Sequence, residues 1–148
     1  ELSIHENILG LKESGPDMGY VGALVDLAPD GFNVLVGSAP TFFASLALGA
    51  DGGILALACV APDACVKIYE LVVAGRYDEA RELQRQVTPI AKLVTSIHGV
   101  PGLKAALSLI GFVGGRPRLP LEPVGNEAIS HIRHQIGLLD TVSSGVTS

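Results

Sequence analysis

Among residues whose types and spacing could do chemistry, Lys12 stands first. It follows the short apolar run Asn7-Ile8-Leu9-Gly10-Leu11 and opens the loop signal Lys12-Glu13-Ser14-Gly15-Pro16. Strand alternation puts Ile8, Gly10 and Lys12 on one face and Leu9 and Leu11 on the other. Gly10 is expected to leave open space one step beneath Lys12. A lysine at the carboxyl edge of a parallel strand reaches toward a ligand cavity, and partial burial there favours a neutral amine. Only the neutral amine attacks a ketone, so the position suits imine formation. From spacing alone, a strand-end lysine stretched toward solvent is the commoner outcome.

The other candidates are weaker. His131 and His134 are three apart on a predicted helix, a spacing that could hold a metal, but no carboxylate or third ligand accompanies them, and a packed or solvated helix face is expected. No metal site is predicted. His5 and His98 stand alone at loop edges. Gly52-Gly53 and Gly114-Gly115 match neither a GxGxxG motif nor a P-loop and fit tight backbone positions better. Arg116 and Arg118 could meet an anion, although a structural contact is the simpler reading. Lys104 reads as a packing or surface lysine. Cys59 and Cys65 form no CxxC and are expected to be reduced thiols.

The elements that must position Lys12 follow from pattern. The 148 residues are 48% hydrophobic and 17% charged, enough for a sizeable core and too apolar for disorder. No apolar run reaches the length of a membrane span, so no membrane partner is expected. The net charge of −5, with scattered Lys and Arg, gives no basic face for nucleic acid. Asp17 should cap a helix ending near Ala28, stopped by Pro29-Asp30-Gly31. Phe32–Val36 reads as a second strand, Ala39–Leu48 as a helix with Pro40 in its first turn, Gly52–Ala58 as a third strand, and Pro62–Ala74 as a helix. Strand and helix alternating in this way argue for a parallel sheet covered by helices, with all strand carboxyl ends along one edge. Lys12, Gly37-Ser38 and the end of the third strand should meet there.

Beyond Gly75 the character changes. Tyr77 to about Ile97 is a long helix whose first turns carry Asp78, Glu79 and Glu82, with Pro89 expected to kink it. Gly99–Gly102 reads as a break, Leu103–Ile110 as a shorter helix, and Asn126 as the cap of a last helix reaching about Leu139, with a frayed tail from Thr141. The predicted fold is therefore α/β: βα units over residues 1–75, then a helical domain over 76–148.

Ile8-Leu9-Gly10-Leu11-Lys12-Glu13-Ser14 resembles the imine-lysine strand of the dihydrodipicolinate synthase and N-acetylneuraminate lyase family. Val34-Leu35-Val36-Gly37-Ser38 resembles the family's seventh barrel strand, and Gly49-Ala50-Asp51-Gly52-Gly53-Ile54 the entry to its eighth. Gly102–Leu107 and Gly115–Pro120 resemble its helical tail and Arg-x-Pro segment. The match is ordered and covers nearly the whole chain. It implies the carboxyl-terminal half of a (β/α)8 TIM barrel, strands six to eight, followed by a helical appendage; a whole barrel takes about 250 residues. Glu1 is not an initiator Met, and the chain enters a strand-like run within a dozen residues, so the parent sequence is expected to be longer. The expected compartment is intracellular, cytoplasmic or mitochondrial, any targeting segment belonging to the missing part.

The resemblance assigns Lys12 the imine role and places Gly37 and Ile54 at the keto-acid pocket, largely through backbone, with Ser38 as a further substrate-binding residue. It implies no metal or organic cofactor, a small-molecule 2-oxo acid as substrate, an amino-terminal half-barrel as partner and a homo-oligomer, by analogy a tetramer. The proton-relay tyrosine and the carboxylate-holding Thr/Ser loop of the family lie in the first half of the barrel; Tyr20, Tyr69 and Tyr77 are not substitutes. Synthases of the lysine pathway commonly have acidic residues after the strand-seven glycine, whereas Ser38-Ala39 follow here. Gly-Ser-Ala looks more like 4-hydroxy-2-oxoglutarate aldolases and fungal aldolases of 2-keto-3-deoxy sugar acids. Cys59 stands where the family often has Asn. A lyase cleaving 4-hydroxy-2-oxoglutarate or a related acid is therefore expected first, with dihydrodipicolinate synthase as the alternative and a noncatalytic scaffold or regulatory half-barrel as a second.

Overall fold

The computed structural model describes residues 2–145, with side chains from Ser3 to Leu139. Three parallel strands form one sheet in the order β1 (Gly10–Glu13), β2 (Asn33–Val36), β3 (Gly52–Gly53). β1 starts three residues later than the apolar run suggests. Lys12 is consequently inside the paired strand, opposite Leu35, rather than just past its end. The reason lies in the partner: Asn33 donates both its backbone N–H and its side-chain amide to the Leu9 carbonyl, at 2.9 and 3.0 Å, and fixes where pairing begins.

α1 (Met18–Leu27) is capped as its sequence predicts, the Asp17 carboxylate accepting from the Tyr20 N–H at 3.1 Å. After β2 the chain makes a single 3-10 turn, Ala39–Thr41, with Pro40 in its first positions, and enters α2 (Phe42–Ala47). Val34 and Val36 alternate with Leu35 along β2, and both are buried; Val36 packs in one cluster with Val21 of α1 and Phe42 and Leu46 of α2. Burying each such side chain stabilises the fold by roughly 1.5–3 kcal/mol relative to exposure.

The predicted third strand, Gly52–Ala58, is corrected. Only Gly52 and Gly53 pair with β2, and Ala56–Cys59 coil into a 3-10 helix. A short apolar run satisfies either geometry. Here Leu55 and Leu57 both reach the core from the coil, and the Ala58 and Val60 N–H groups bond back to the carbonyls of Leu55 and Leu57. Asp51 sets the register from just outside the strand: its carboxylate accepts from the Val34 N–H at 2.7 Å while its own N–H donates to the Val34 carbonyl at 2.9 Å.

α3 (Pro62–Val73) and α4 (Tyr77–Lys92) follow, and α4 runs on into a π-helical segment, Leu93–Ile97. The expected break at Gly99–Gly102 is instead the first turn of α5 (Gly99–Leu109). Proline belongs in a first helical turn, where its missing N–H costs nothing, so Pro101 is compatible with a helix start. α6 (Asn126–Gly145) closes the described chain and runs beyond Leu139; of the tail expected to fray from Thr141, residues 146–148 lie outside the described residues. One buried cluster runs from Val21 and Val36 through Ile68, Val87 and Ile90 to Ala106 and Ile132, so the middle strand β2 and all the long helices share a core.

Candidate active site

Lys12 pairs across from Leu35, and its side chain leans forward along the sheet to Gly37, just past the carboxyl end of β2. A β-carbon at Gly37 would lie only 2.7 Å from Lys12 Cε and would also collide with the Ser14 side chain. A side chain there would have to push the end of the Lys12 stem and the Ser14 side chain aside, so glycine leaves the lysine its path over the backbone. The Gly37 N–H donates to the Glu13 carbonyl at 2.7 Å, which pins that approach. Among the described residues Lys12 Nζ has no hydrogen bond or ion pair.

Two expectations about this strand are corrected. Gly10 does not leave open space beneath Lys12: a β-carbon there would stand 2.5 Å from the Asn33 carbonyl oxygen, so Gly10 serves close approach of the two strands. Lys12 is exposed rather than partly buried, because β1 is the edge strand and pairs only with β2 among the described residues.

Beside Gly37 opens a cleft of about 510 Å³. One wall is the strand edge, Ser14, Gly37 and Ser38; the other is the end of α4 and its π-helical extension, Lys92, Thr95 and Ser96. The two walls are tied together by Gln84. Its amide nitrogen donates to the Ala39 carbonyl and to Thr88 Oγ1, both at 3.1 Å, and its oxygen accepts from the Phe43 N–H at 2.9 Å. This buried amide is fully engaged and fastens α4 to the turn after β2. Gly37 and Ser38, singled out from sequence, thus line the cleft. Ile54 does not; it follows β3, its N–H bonded to the Val36 carbonyl at 2.8 Å and its side chain exposed. Ser14 and the Lys92-Thr95-Ser96 face were missed. The spacing of the last three, three and four residues apart, marks one helix face, but only tertiary packing brings that face to β2.

The remaining candidates are dispersed. His131 and His134 are exposed on α6, and no group of three acidic, His or Cys residues among those described is placed to hold a metal. Lys104 Nζ donates to the Gly114 carbonyl at 2.7 Å, a structural contact. Cys59 is exposed and Cys65 buried, and neither is in a disulfide; burial pushes the Cys65 thiol up to about 11. Tyr20, Tyr69 and Tyr77 are exposed on α1, α3 and α4. No described helix is long and apolar enough to cross a membrane.

Comparison with known proteins adds to this geometry. The profile of the dihydrodipicolinate synthetase family matches residues 1–137. The chain is 32% identical over 139 residues to 4-hydroxy-tetrahydrodipicolinate synthase of Archaeoglobus fulgidus, spanning 93% of this chain and 48% of that protein. Among solved structures, dihydrodipicolinate synthase from Thermotoga maritima superposes with a TM-score of 0.82 at 30% identity, covering 92% of this chain and 48% of that one. The 4-hydroxy-tetrahydrodipicolinate synthase of Methylacidiphilum fumariolicum SolV gives a TM-score of 0.85 at 26% identity, covering 95% and 47%. The chain spans about half the length of the relatives it matches.

Proposed function

Because the chain belongs to the dihydrodipicolinate synthetase family, we propose that it is the carboxyl-terminal part, barrel strands six to eight and the helical appendage, of an aldolase that works through an imine on Lys12. The observation that carries this reading is the Lys12 stem lying over Gly37 at the carboxyl edge of a parallel sheet, its nitrogen uncommitted among the described residues. In parallel α/β sheets and barrels that edge is where ligands bind.

In the proposed reaction the neutral Lys12 amine attacks the ketone carbon of a 2-oxo acid, and water leaves to give a protonated imine. The cation draws in the electron pair of the bond between the adjacent carbon and the hydroxyl-bearing carbon. That bond breaks as the hydroxyl gives up its proton to a base, an aldehyde departs and an enamine remains. Protonation and hydrolysis then release pyruvate and restore the lysine. With 4-hydroxy-2-oxoglutarate the products are pyruvate and glyoxylate. The absence of acidic side chains from the described cleft wall, where Ser38, Ala39 and Pro40 follow Gly37, supports a cleavage enzyme for this or a 2-keto-3-deoxy sugar acid. The names of the relatives favour a second reading, the condensation of pyruvate with an aldehyde. The edge of β1, unpaired among the described residues, and the exposed Leu9 support an amino-terminal half-barrel as its partner.

Borohydride reduction of the full-length protein in the presence of pyruvate tests the imine directly. Permanent alkylation of Lys12, located by peptide mass, is expected; an unmodified Lys12 would sink the proposal and leave a noncatalytic scaffold. Turnover of each substrate by the same protein then separates cleavage from condensation.

A further inference from the structure

The cleft beside Gly37 contains a cation without a partner. Arg76, Arg81 and Arg85, at the start of and along α4, each meet an acid three residues away: Glu79, Asp78 and Glu82. Lys92, in the last turn of the same helix, has Thr88 and Pro89 one turn before it and Thr95 and Ser96 one turn after it. The helix therefore gives it hydroxyls instead of a carboxylate, and among the described residues it makes no ion pair. The acidic residues of the chain are likewise absent from the cleft's lining, which otherwise offers the hydroxyls of Ser14, Ser38 and Thr41.

We infer that this cleft receives a negatively charged far end of the substrate and that Lys92 is the specificity residue that holds it. The inference rests on the imine reading and deepens it, because it names the substrate class as 2-oxo acids with a second carboxylate. The connection to Lys12 is geometric. Gly37 is at once the residue over which the Lys12 stem passes and part of the cleft wall, and Ser14, two residues after Lys12, lies beside it. Lys12 itself does not line the cleft; Gly37, shared by the lysine stem and the cleft wall, is where a carbon chain leaving the imine would pass into the space that Lys92 borders. At about 510 Å³ the cleft is within the range of small-molecule sites. The π-helical segment beginning at Leu93 places Thr95 and Ser96 beside Lys92; their hydroxyls donate to the carbonyls of Ala91 and Lys92 and so are held in place on the rim. One charged donor facing a carboxylate is worth about a 10- to 100-fold preference in binding.

The test uses the full-length protein and compares 4-hydroxy-2-oxoglutarate, which ends in a carboxylate, with 2-keto-3-deoxygluconate, whose far end is uncharged. Lys92→Gln is expected to reduce the ratio of the two kcat/KM values by about 10- to 100-fold, chiefly through KM for the dicarboxylate, and Lys92→Arg to restore most of it. An unchanged ratio overturns the inference, including the case in which both substrates lose activity equally because the rim is deformed. Binding of 2-oxoglutarate to the Lys12→Ala protein supplies a readout that needs no imine. It should weaken about tenfold or more when Lys92→Gln is added, and equal affinity in the two proteins also overturns the inference. Pyruvate trapping on the wild-type protein reports on Lys12 separately, so failure of one idea is not mistaken for failure of the other.

Discussion

Lys12 and Lys104 each sit beside a glycine, one at the sheet edge and one on α5, yet their nitrogens are bound in opposite ways. Lys104 donates to the Gly114 carbonyl, and Gly114 is itself wedged against the backbone of α5 at the Lys104 carbonyl, which also accepts from Ser108 at 3.1 Å. The glycine there admits a tight turn of chain, and the ammonium stitches that turn to the helix. At the sheet edge the glycine admits the stem of Lys12 instead, and the nitrogen beyond it bonds to nothing described. An ammonium held by a carbonyl is committed to that contact, whereas a nitrogen with no partner among the described residues is at liberty to meet an incoming carbonyl group. What separates the structural lysine from the one proposed to react is the company of the nitrogen, not the presence of a neighbouring glycine.

The sharpest way to break this contrast is Gly37→Ala. Its new methyl would overlap Lys12 Cε and displace the stem, and a misplacement of about an ångström costs on the order of 100-fold in kcat/KM. Pyruvate trapping should slow in parallel while the melting temperature changes little; unaltered kinetics would mean that the stem has room elsewhere. Lys104→Met should do the reverse. Leaving the Gly114 carbonyl without its charged donor should destabilise the protein by about 1–3 kcal/mol in denaturant unfolding, with the imine still formed.

A smaller effect extends the contrast to sulfur. Burial holds Cys65 as a thiol up to about pH 11, against 9.0 for the unperturbed group. Its folded value is raised, so the unfolded chain loses the proton first. The stabilising contribution of this thiol is complete below pH 9 and is lost as the pH climbs toward 11. Replacing Cys65 with Ala should flatten that part of the stability profile. In the native protein exposed Cys59 should alkylate at least about tenfold faster than Cys65.

Much of this arrangement was legible because local chemistry decided it. Asp17 could only cap, Pro29-Asp30-Gly31 could only stop, and a proline at position 62 belongs at a helix start, so α1 and α3 fall where the residues put them. Lys12 and Gly37-Ser38 stood out for the same reason: each ends an apolar run at a turn. The misreadings share a different cause. Leu55–Ala58 suits a strand or a coil equally, and the choice was made by where the core needed Leu55 and Leu57. Gly10 looked like a vacancy beneath a side chain and proved to be a passage for the neighbouring backbone. Lys92, Thr95 and Ser96 carried a visible helical spacing, but nothing local says that the end of a helix 80 residues downstream of Lys12 borders the same space. That proximity is a property of packing.

Gln84 has a consequence for how such a protein can change. Its two hydrogen bonds to Ala39 and Phe43, with a third to Thr88 holding the amide on its own helix, make the long helix and the chain after the second strand travel as one piece. A substitution on the outer side of α4 that rolls the helix by a few degrees would carry the floor of the cleft with it. On the proposed reading of the cleft, mutations that alter which acids are accepted need not touch its mouth at all, and drift on the outer surface of α4 is restrained by what the cleft must hold.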